Sequence, residues 1–92
     1  MKISKVFTDF KTITTQCELR RTVEFMIDKA TYRVEVLYCY SRPKPWTAQA
    51  YSEKRGGWKC VPDFPWVNEK NEEAAIRAAL SFLEDLHRRT RR

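Results

Sequence analysis

The spacing of apolar residues changes once along this chain, near residue 68. Before that point apolar and polar residues alternate, as in a half-buried strand; after it apolar residues recur every three or four positions, as in an amphipathic helix. Strands and helix occupy separate blocks, so the pattern predicts an α+β fold, an antiparallel β-sheet of three to five strands packed against one long C-terminal α-helix. With 92 residues, the chain is expected to form a single domain over residues 1–92.

Four segments carry the strand pattern. Residues 17–28 alternate between apolar and polar side chains, and those predicted to share one face are Cys17, Leu19, Val23, Phe25 and Ile27. A hairpin connection over 28–31 leads to a second strand at 32–40. Two prolines then interrupt the pattern, because proline cannot donate to a sheet ladder. A third strand is predicted over about 46–51 and a fourth over 58–61, joined by a turn at Gly56 and Gly57.

The helix is predicted from about residue 68 to the C-terminal arginines. Its apolar stripe consists of Ala75, Ala79, Phe82 and Leu86, flanked by Ile76, Leu80 and Leu83. Asn68 or Asn71 is expected to cap its start, where Glu69, Glu72 and Glu73 suit the positive end of the helix dipole. Arg88, Arg89, Arg91 and Arg92 suit the negative end. Residues 1–16 fit a short helix as well as a strand.

The chain carries 18 Lys and Arg against 12 Asp and Glu, a formal net charge of +6. This excess favours anionic partners through long-range attraction. No apolar run is long enough to cross a membrane, and no signal region follows Met1, so we expect a cytoplasmic protein without a membrane partner. Cys17, Cys39 and Cys60 are odd in number and far apart, which predicts reduced cysteines, two of them small core residues.

The sequence shows no recognisable set of a nucleophile, a base and a group to orient them, which catalysis normally needs. The one histidine, His87, lies near the end of the predicted helix. We interpret it as an exposed cation at the helix end and not as a general base. The cysteines lack the close pairing of zinc ligands, and the Gly56-Gly57 pair lacks the spacing of a phosphate loop. We therefore expect a protein that is not an enzyme and uses no cofactor, metal or small-molecule substrate.

The positive charge is clustered beside aromatic residues. The residues predicted to bind a nucleic acid or another partner are Arg20, Arg21, Arg42, Lys44, Lys54, Arg55 and Lys59. Arg42 and Lys44 precede Trp46, and Lys54 and Arg55 precede Trp58. Where basic side chains lie beside aromatic rings, the basic groups can bind phosphates and the rings can stack on unpaired bases. In the simpler interpretation the basic residues are solvated turn residues; we favour a function for the loop cations and a core position for Trp46, Trp58 and Trp66.

Two features at the C-terminal end have more than one interpretation. The terminal run Arg88 to Arg92 either complements the helix dipole or acts as an electrostatic arm. The order of strands followed by the alanine-rich helix resembles the second half of a double-stranded RNA-binding domain. In that family lysines at the helix start touch phosphates, whereas this chain has Glu69, Glu72 and Glu73 there. The same surface is therefore not expected to bind duplex RNA, and the resemblance is architectural.

Over its whole length the chain resembles phage-encoded anti-CRISPR proteins of the type I-F class. The resemblance is carried by the opening Met1-Lys2-Ile3-Ser4-Lys5-Val6-Phe7-Thr8-Asp9-Phe10, by the middle Tyr38-Cys39-Tyr40-Ser41-Arg42-Pro43 and by the total length. The class has no shared motif, so no functional residue is carried over from it.

The resemblance implies a stoichiometric inhibitor of the type I-F crRNA-guided surveillance (Csy/Cascade) complex. Its partners would be the Cas proteins of that complex and its crRNA, in the cytoplasm of the infected bacterial host, and it would block target DNA binding or hybridisation to the guide. With a charge of +6 the chain is no simple DNA mimic. The alternatives are a free-standing small nucleic-acid-binding regulator and an antitoxin-like module with one dedicated protein partner.

Overall fold

The computed structural model describes residues 16–40 and 42–90. Four strands, β1 (Cys17–Ile27), β2 (Ala30–Cys39), β3 (Trp46–Lys54) and β4 (Gly57–Cys60), precede one helix, α1 (Glu72–Thr90). Each strand pairs antiparallel with its neighbour in sequence, in the order β1-β2-β3-β4. The predicted α+β class, an antiparallel sheet against one C-terminal helix, is confirmed. Of the ambiguous segment 1–16, residues 1–15 lie outside the described residues.

Short turns set the order of the strands. Asp28 and Lys29 form the turn between β1 and β2, and Asp28 has a φ of 53°, a left-handed conformation that aspartate tolerates better than most residues. Arg55 and Gly56 connect β3 to β4, with Gly56 at a φ of 78°. Because both connections are tight, β1 with β2 and β3 with β4 form hairpins.

The core lies between α1 and one face of the central strands. Alternate residues of β2 and β3 are buried there, and they pack against one stripe of the helix formed by Ala75, Ala79 and Leu83. Alanines on the helix let it approach the sheet closely, while Leu83, fully buried, contributes about 1.5–3 kcal/mol by leaving water. Within the described ranges, no helix combines the length and apolar character of a membrane span.

The N-terminal end of α1 is capped by Asn71. Its side-chain oxygen accepts a hydrogen bond from the backbone N–H of Ala74 at 2.8 Å, so Asn71 takes the capping role that was predicted for it or for Asn68. The helix therefore begins at Glu72, later than predicted. Glu72 accepts a hydrogen bond from Arg21 Nε at 3.0 Å, which ties the helix start to β1. Leu80, predicted beside the apolar stripe, is exposed.

One extra residue in β1 changes which face its first residues occupy. The register shifts between Leu19 and Arg21, so that Arg21 lies opposite Val36 but Leu19 lies opposite Leu37. Since Val36 is in the core and Leu37 is on the other face, the bulge moves Cys17 and Leu19 away from the helix. The prediction that these two share a face with Val23, Phe25 and Ile27 is wrong for this reason.

Candidate functional site

The face of the sheet that does not contact α1 carries a mixture of aromatic, polar and charged side chains. We call it the open face; its central residues are Arg33, Glu35, Leu37, Thr47, Gln49, Tyr51 and Trp58. None of these is buried by the described part of the chain, whereas the helix-facing residues between them are. A half-covered antiparallel sheet is expected to be polar on its free side, so the aromatic groups there are the unusual feature.

A cleft of about 470 Å³ lies at one end of the open face. Leu37 and Thr47 contribute to its lining from the sheet, Gln49 lies on the same stretch of β3, and Arg42 lies on the β2–β3 loop. The Cys17–Cys39 disulfide and the segment from Phe64 to Val67 complete the lining. Clefts of about 300–1,000 Å³ are typical of sites for small organic groups. We refer to it as the open-face cleft.

Trp66 is held at the cleft by the path of the chain between β4 and α1. Val61 N–H donates to the Ala50 carbonyl, and Glu69 exchanges two backbone hydrogen bonds with Trp46, so this segment follows the edge of β3. Phe64 turns inward and packs edge-on against Phe82, with ring centres 5.3 Å apart. Trp66 is left 73% exposed.

Arg42 lies beside the exposed tryptophan. Its guanidinium carbon is 5.7 Å from the centre of the Trp66 ring, within the range of a cation–π interaction. Both residues line the open-face cleft. A planar aromatic surface next to a fixed cation is the pair of groups that holds an unpaired base and its phosphate in single-strand-binding proteins.

Three polar side chains, Gln49, Tyr51 and Glu35, lie next to the cleft toward the middle of the sheet. The Tyr51 hydroxyl donates to Gln49 Oε1 at 2.8 Å, and Glu35 lies opposite Gln49 on the neighbouring strand. Burial, followed by the nearby Glu35 carboxylate, raises the pKa of Tyr51 above its ordinary value of 10.0. An interaction with the Glu35 side chain contributes to this shift, so the phenol lies near both Gln49 and Glu35.

The seven predicted binding residues do not converge on one surface. Arg42 and Lys44 lie in the β2–β3 loop at the cleft end, whereas Lys54 and Arg55 lie at the other end of β3. The nine residues of β3 are separated by eight steps of about 3.3 Å, so the two groups lie about 26 Å apart. Lys59 lies opposite Ser52, which places it on the helix side of the sheet.

Arg20 and Arg21 are engaged within the protein, at the helix side of the cleft end. Arg21 pairs with Glu72. Arg20 lies 3.5 Å from the Glu18 carboxylate and 5.0 Å from the centre of the Tyr38 ring, and it donates to the Tyr40 hydroxyl. A partner would have to compete with these contacts, so Arg42 is the predicted residue that the structure places in the cleft.

The three tryptophans have different environments. Trp46 packs against the core as expected, and its ring meets Tyr38 edge-on at 5.1 Å. Trp58 is half-buried under the Arg33 guanidinium, 4.3 Å from the ring centre, on the open face. The core position predicted for Trp58 is therefore wrong, and so is the one predicted for Trp66, because the chain around Trp66 follows the sheet edge. Its position between Pro65 and the helix start, outside any periodic segment, was the available signal.

The expectation that all cysteines are reduced is wrong for two of them. Cys17 and Cys39 form a disulfide across β1 and β2, and Cys60 is an exposed free thiol. Cys39 is buried as predicted, but Cys17 is exposed. Among residues 16–40 and 42–90, no three histidine, cysteine or acidic side chains form a group that could hold a metal ion.

His87 is neither exposed nor isolated. Its Nε2 lies 2.8 Å from Asp28 Oδ2, and its side chain is 19% exposed. The pair joins the end of α1 to the β1–β2 turn. The interpretation of His87 as an exposed helix-end cation is therefore corrected: it is a contact between helix and sheet.

Comparison of the chain with protein-family models, with curated proteins and with solved structures returned no match. The resemblance to type I-F inhibitors thus stays a prediction. Its opening stretch, Met1 to Phe10, lies outside the described residues.

Proposed function

We propose that this chain is a non-catalytic protein that binds single-stranded nucleic acid, free or as the guide of a nucleoprotein, through the open face of its sheet. The observation that supports this most is the exposed Trp66 ring with Arg42 beside it at the mouth of a cleft. Stacking on an aromatic ring contributes about 1–3 kcal/mol per base, which is large for one contact. Because most of the Trp66 side chain is exposed to solvent, its burial contributes little to the stability of the fold.

The charge distribution supports a strand laid lengthwise along the open face. Such a strand would meet Arg42 and Lys44 at the cleft end and Arg55 in the β3–β4 turn, whereas Lys54, two residues after Ser52, lies on the helix side of the sheet. Glu24 and Glu35 lie between the two ends, and Glu53 lies on the open face next to the turn; the Glu24 carboxylate is paired with Arg33. Phosphates are therefore favoured at the cleft end of the face and bases over its middle.

A salt titration tests the proposal. Fluorescence anisotropy of a labelled single strand of about nine nucleotides, a length within the usual range for one such domain, gives the dissociation constant. We expect binding at low ionic strength, with log K falling linearly as log[salt] rises, because phosphate contacts release counterions. Absence of binding at low ionic strength, or affinity independent of salt, would contradict the proposal. Duplex DNA of the same length is the matched comparison.

The resemblance to type I-F anti-CRISPR proteins makes one form of this proposal specific. In that form the nucleoprotein is the crRNA-guided surveillance complex, and the chain blocks target DNA binding by contacting the crRNA backbone or an acidic Cas surface. The loop cations Arg42, Lys44, Lys54 and Arg55 would make those contacts. What supports it is the sequence resemblance together with the +6 charge.

Titration of the purified protein against the assembled complex with labelled target DNA tests this form. Loss of DNA binding at saturating protein is expected, and unchanged DNA binding would remove the anti-CRISPR proposal. Charge reversal at Lys54 and Arg55 should weaken inhibition. Unchanged inhibition would show that the β3–β4 turn is not part of the contact. Strong, salt-sensitive binding to naked RNA or DNA without inhibition of the complex would instead favour the free-standing regulator.

A further inference from the structure

We propose that Arg33, stacked on the ring of Trp58, forms a second platform on the open face, against which another base of the bound strand lies flat. The inference rests on the proposed function, because it names where a base outside the cleft is held. Arg33 and Trp58 lie on the open face, on β2 and β4. Neither lines the open-face cleft, so this platform is separate from the contact at Trp66.

The guanidinium group of Arg33 lies over the indole ring of Trp58. Its central carbon is 4.3 Å from the ring centre, closer than the 5.7 Å between Arg42 and Trp66. At this distance the attraction of a cation for the ring is combined with the stacking of two flat groups. One side of the guanidinium plane therefore faces the ring, and the other side is directed away from it.

A carboxylate holds the same guanidinium at its edge. Glu24 lies opposite Arg33 in the register of β1 and β2, and its Oε1 atom accepts hydrogen bonds from Arg33 Nε at 3.2 Å and from Nη2 at 2.5 Å. The N–H groups of a guanidinium point outward in its plane, so this pair occupies an edge and not the outer side of the plane. The Arg33 side chain is 29% exposed.

The surrounding charge determines which part of a strand this platform suits. The Glu24 carboxylate compensates the charge of Arg33, and Glu35 and Glu53 add negative charge to the same face. These carboxylates disfavour a phosphate, whereas an uncharged base is not repelled. Unpaired bases stack on arginine guanidinium planes as they do on aromatic rings. Arg33 is therefore suited to hold a base and not a phosphate.

The two platforms are spaced along β2. Leu37, which lines the cleft, follows Arg33 by four residues on the same face, so their backbones lie about 13 Å apart at about 3.3 Å per residue. A strand laid lengthwise along the open face meets both platforms. Because groups this far apart are usually coupled only weakly, each should contribute to affinity independently of the other.

Arg33→Lys keeps the charge and removes the flat guanidinium. In the anisotropy assay at low ionic strength we expect it to bind the strand of about nine nucleotides about fivefold more weakly. Arg77→Lys is the matched control, because Arg77 also pairs with a glutamate, Glu73, but on the exposed surface of α1, and its affinity should not change. The same fivefold factor is expected when Arg33→Lys is combined with Trp66→Ala.

Nuclear magnetic resonance of the unmodified protein gives a second measurement that needs no substitution. The Arg33 Nε–H signal should shift when the strand is added, since the ring current of a stacked base acts on it, and the Arg77 signal should stay in place. Full affinity of Arg33→Lys, or an unshifted Arg33 signal, would overturn the second platform and leave the proposed function standing. An effect of Arg33→Lys that disappears with Trp66→Ala would also overturn it. Failure of the unmodified protein to bind any strand would overturn both.

Discussion

Cys17 and Cys39 form a disulfide that ties the first residue of the edge strand β1 to the last residue of β2. They face each other because of the extra residue in β1: continuation of the register from the β1–β2 turn would set Cys17 opposite Tyr40 instead. The disulfide is also part of the cleft lining, so its formation and the shape of the candidate site are connected.

Reduction of this disulfide should destabilise the protein. The bond closes a loop with a sequence separation of 22, which in the chain-entropy account contributes about 3 kcal/mol to the free energy of unfolding. Urea unfolding with and without a phosphine reductant measures the difference. Cys60→Ser should unfold like the parent protein in both conditions, because Cys60 is exposed and unbonded. Equal stability with and without reductant would contradict the bond's structural role.

Loss of the helix cap should have a smaller and position-specific effect. Asn71→Ala removes the acceptor for the Ala74 N–H and is expected to lower the free energy of unfolding by about 1 kcal/mol. Asn68→Ala, three residues earlier and outside the cap, is the matched control and should change stability little. Equal effects of the two substitutions in thermal or urea unfolding would show that the helix begins elsewhere.

Tyr40 should ionise at higher pH than an ordinary tyrosine. Its hydroxyl donates to the Glu18 carboxylate, and that hydrogen bond, more than any other contact, raises the pKa of Tyr40 above 10.0. Since the folded state holds this proton more tightly, the stabilisation is complete below pH 10 and is lost as the pH rises through the folded-state pKa. Alkaline titration of the tyrosines by ultraviolet absorbance follows the ionisation.

Substitution of Glu18 tests whether the hydrogen bond to its carboxylate is what raises the pKa of Tyr40. Glu18→Gln should lower the pKa of Tyr40 toward 10.0, because the charged acceptor is gone. Glu24→Gln is the comparison, since Glu24 lies on the same strand but pairs with Arg33. A Tyr40 titration unchanged by Glu18→Gln would contradict the assignment.

Most of the fold could be predicted because each element shows its own period. Val34 and Val36 alternate with polar residues, and Ala75, Ala79 and Leu83 recur at helical spacing. The bulge was harder to predict, because apolar residues continue on both sides of it. The sequence indicates the bulge only through Arg21, a charged residue at a position that the alternation would bury.

The candidate site could be predicted only in part. Arg42 was recognised from its place in a proline-containing loop, but the exposure of Trp66 depends on the route that the chain takes along β3. Composition does not tell which tryptophan a small core uses. The disulfide depends on the register of β1 and β2, which the bulge changes by one residue without altering the hydrophobic pattern.

The most direct measurement of the binding surface is the affinity of Trp66→Ala for the single strand that the unmodified protein binds. The ring is exposed, so the melting temperature should not change, while the dissociation constant should rise about tenfold through the loss of one stacked base. Met26→Ala, an exposed apolar residue of the open face away from the cleft, should bind normally. Equal affinities of Trp66→Ala and the unmodified protein would show that nucleic acid, if bound, is held elsewhere.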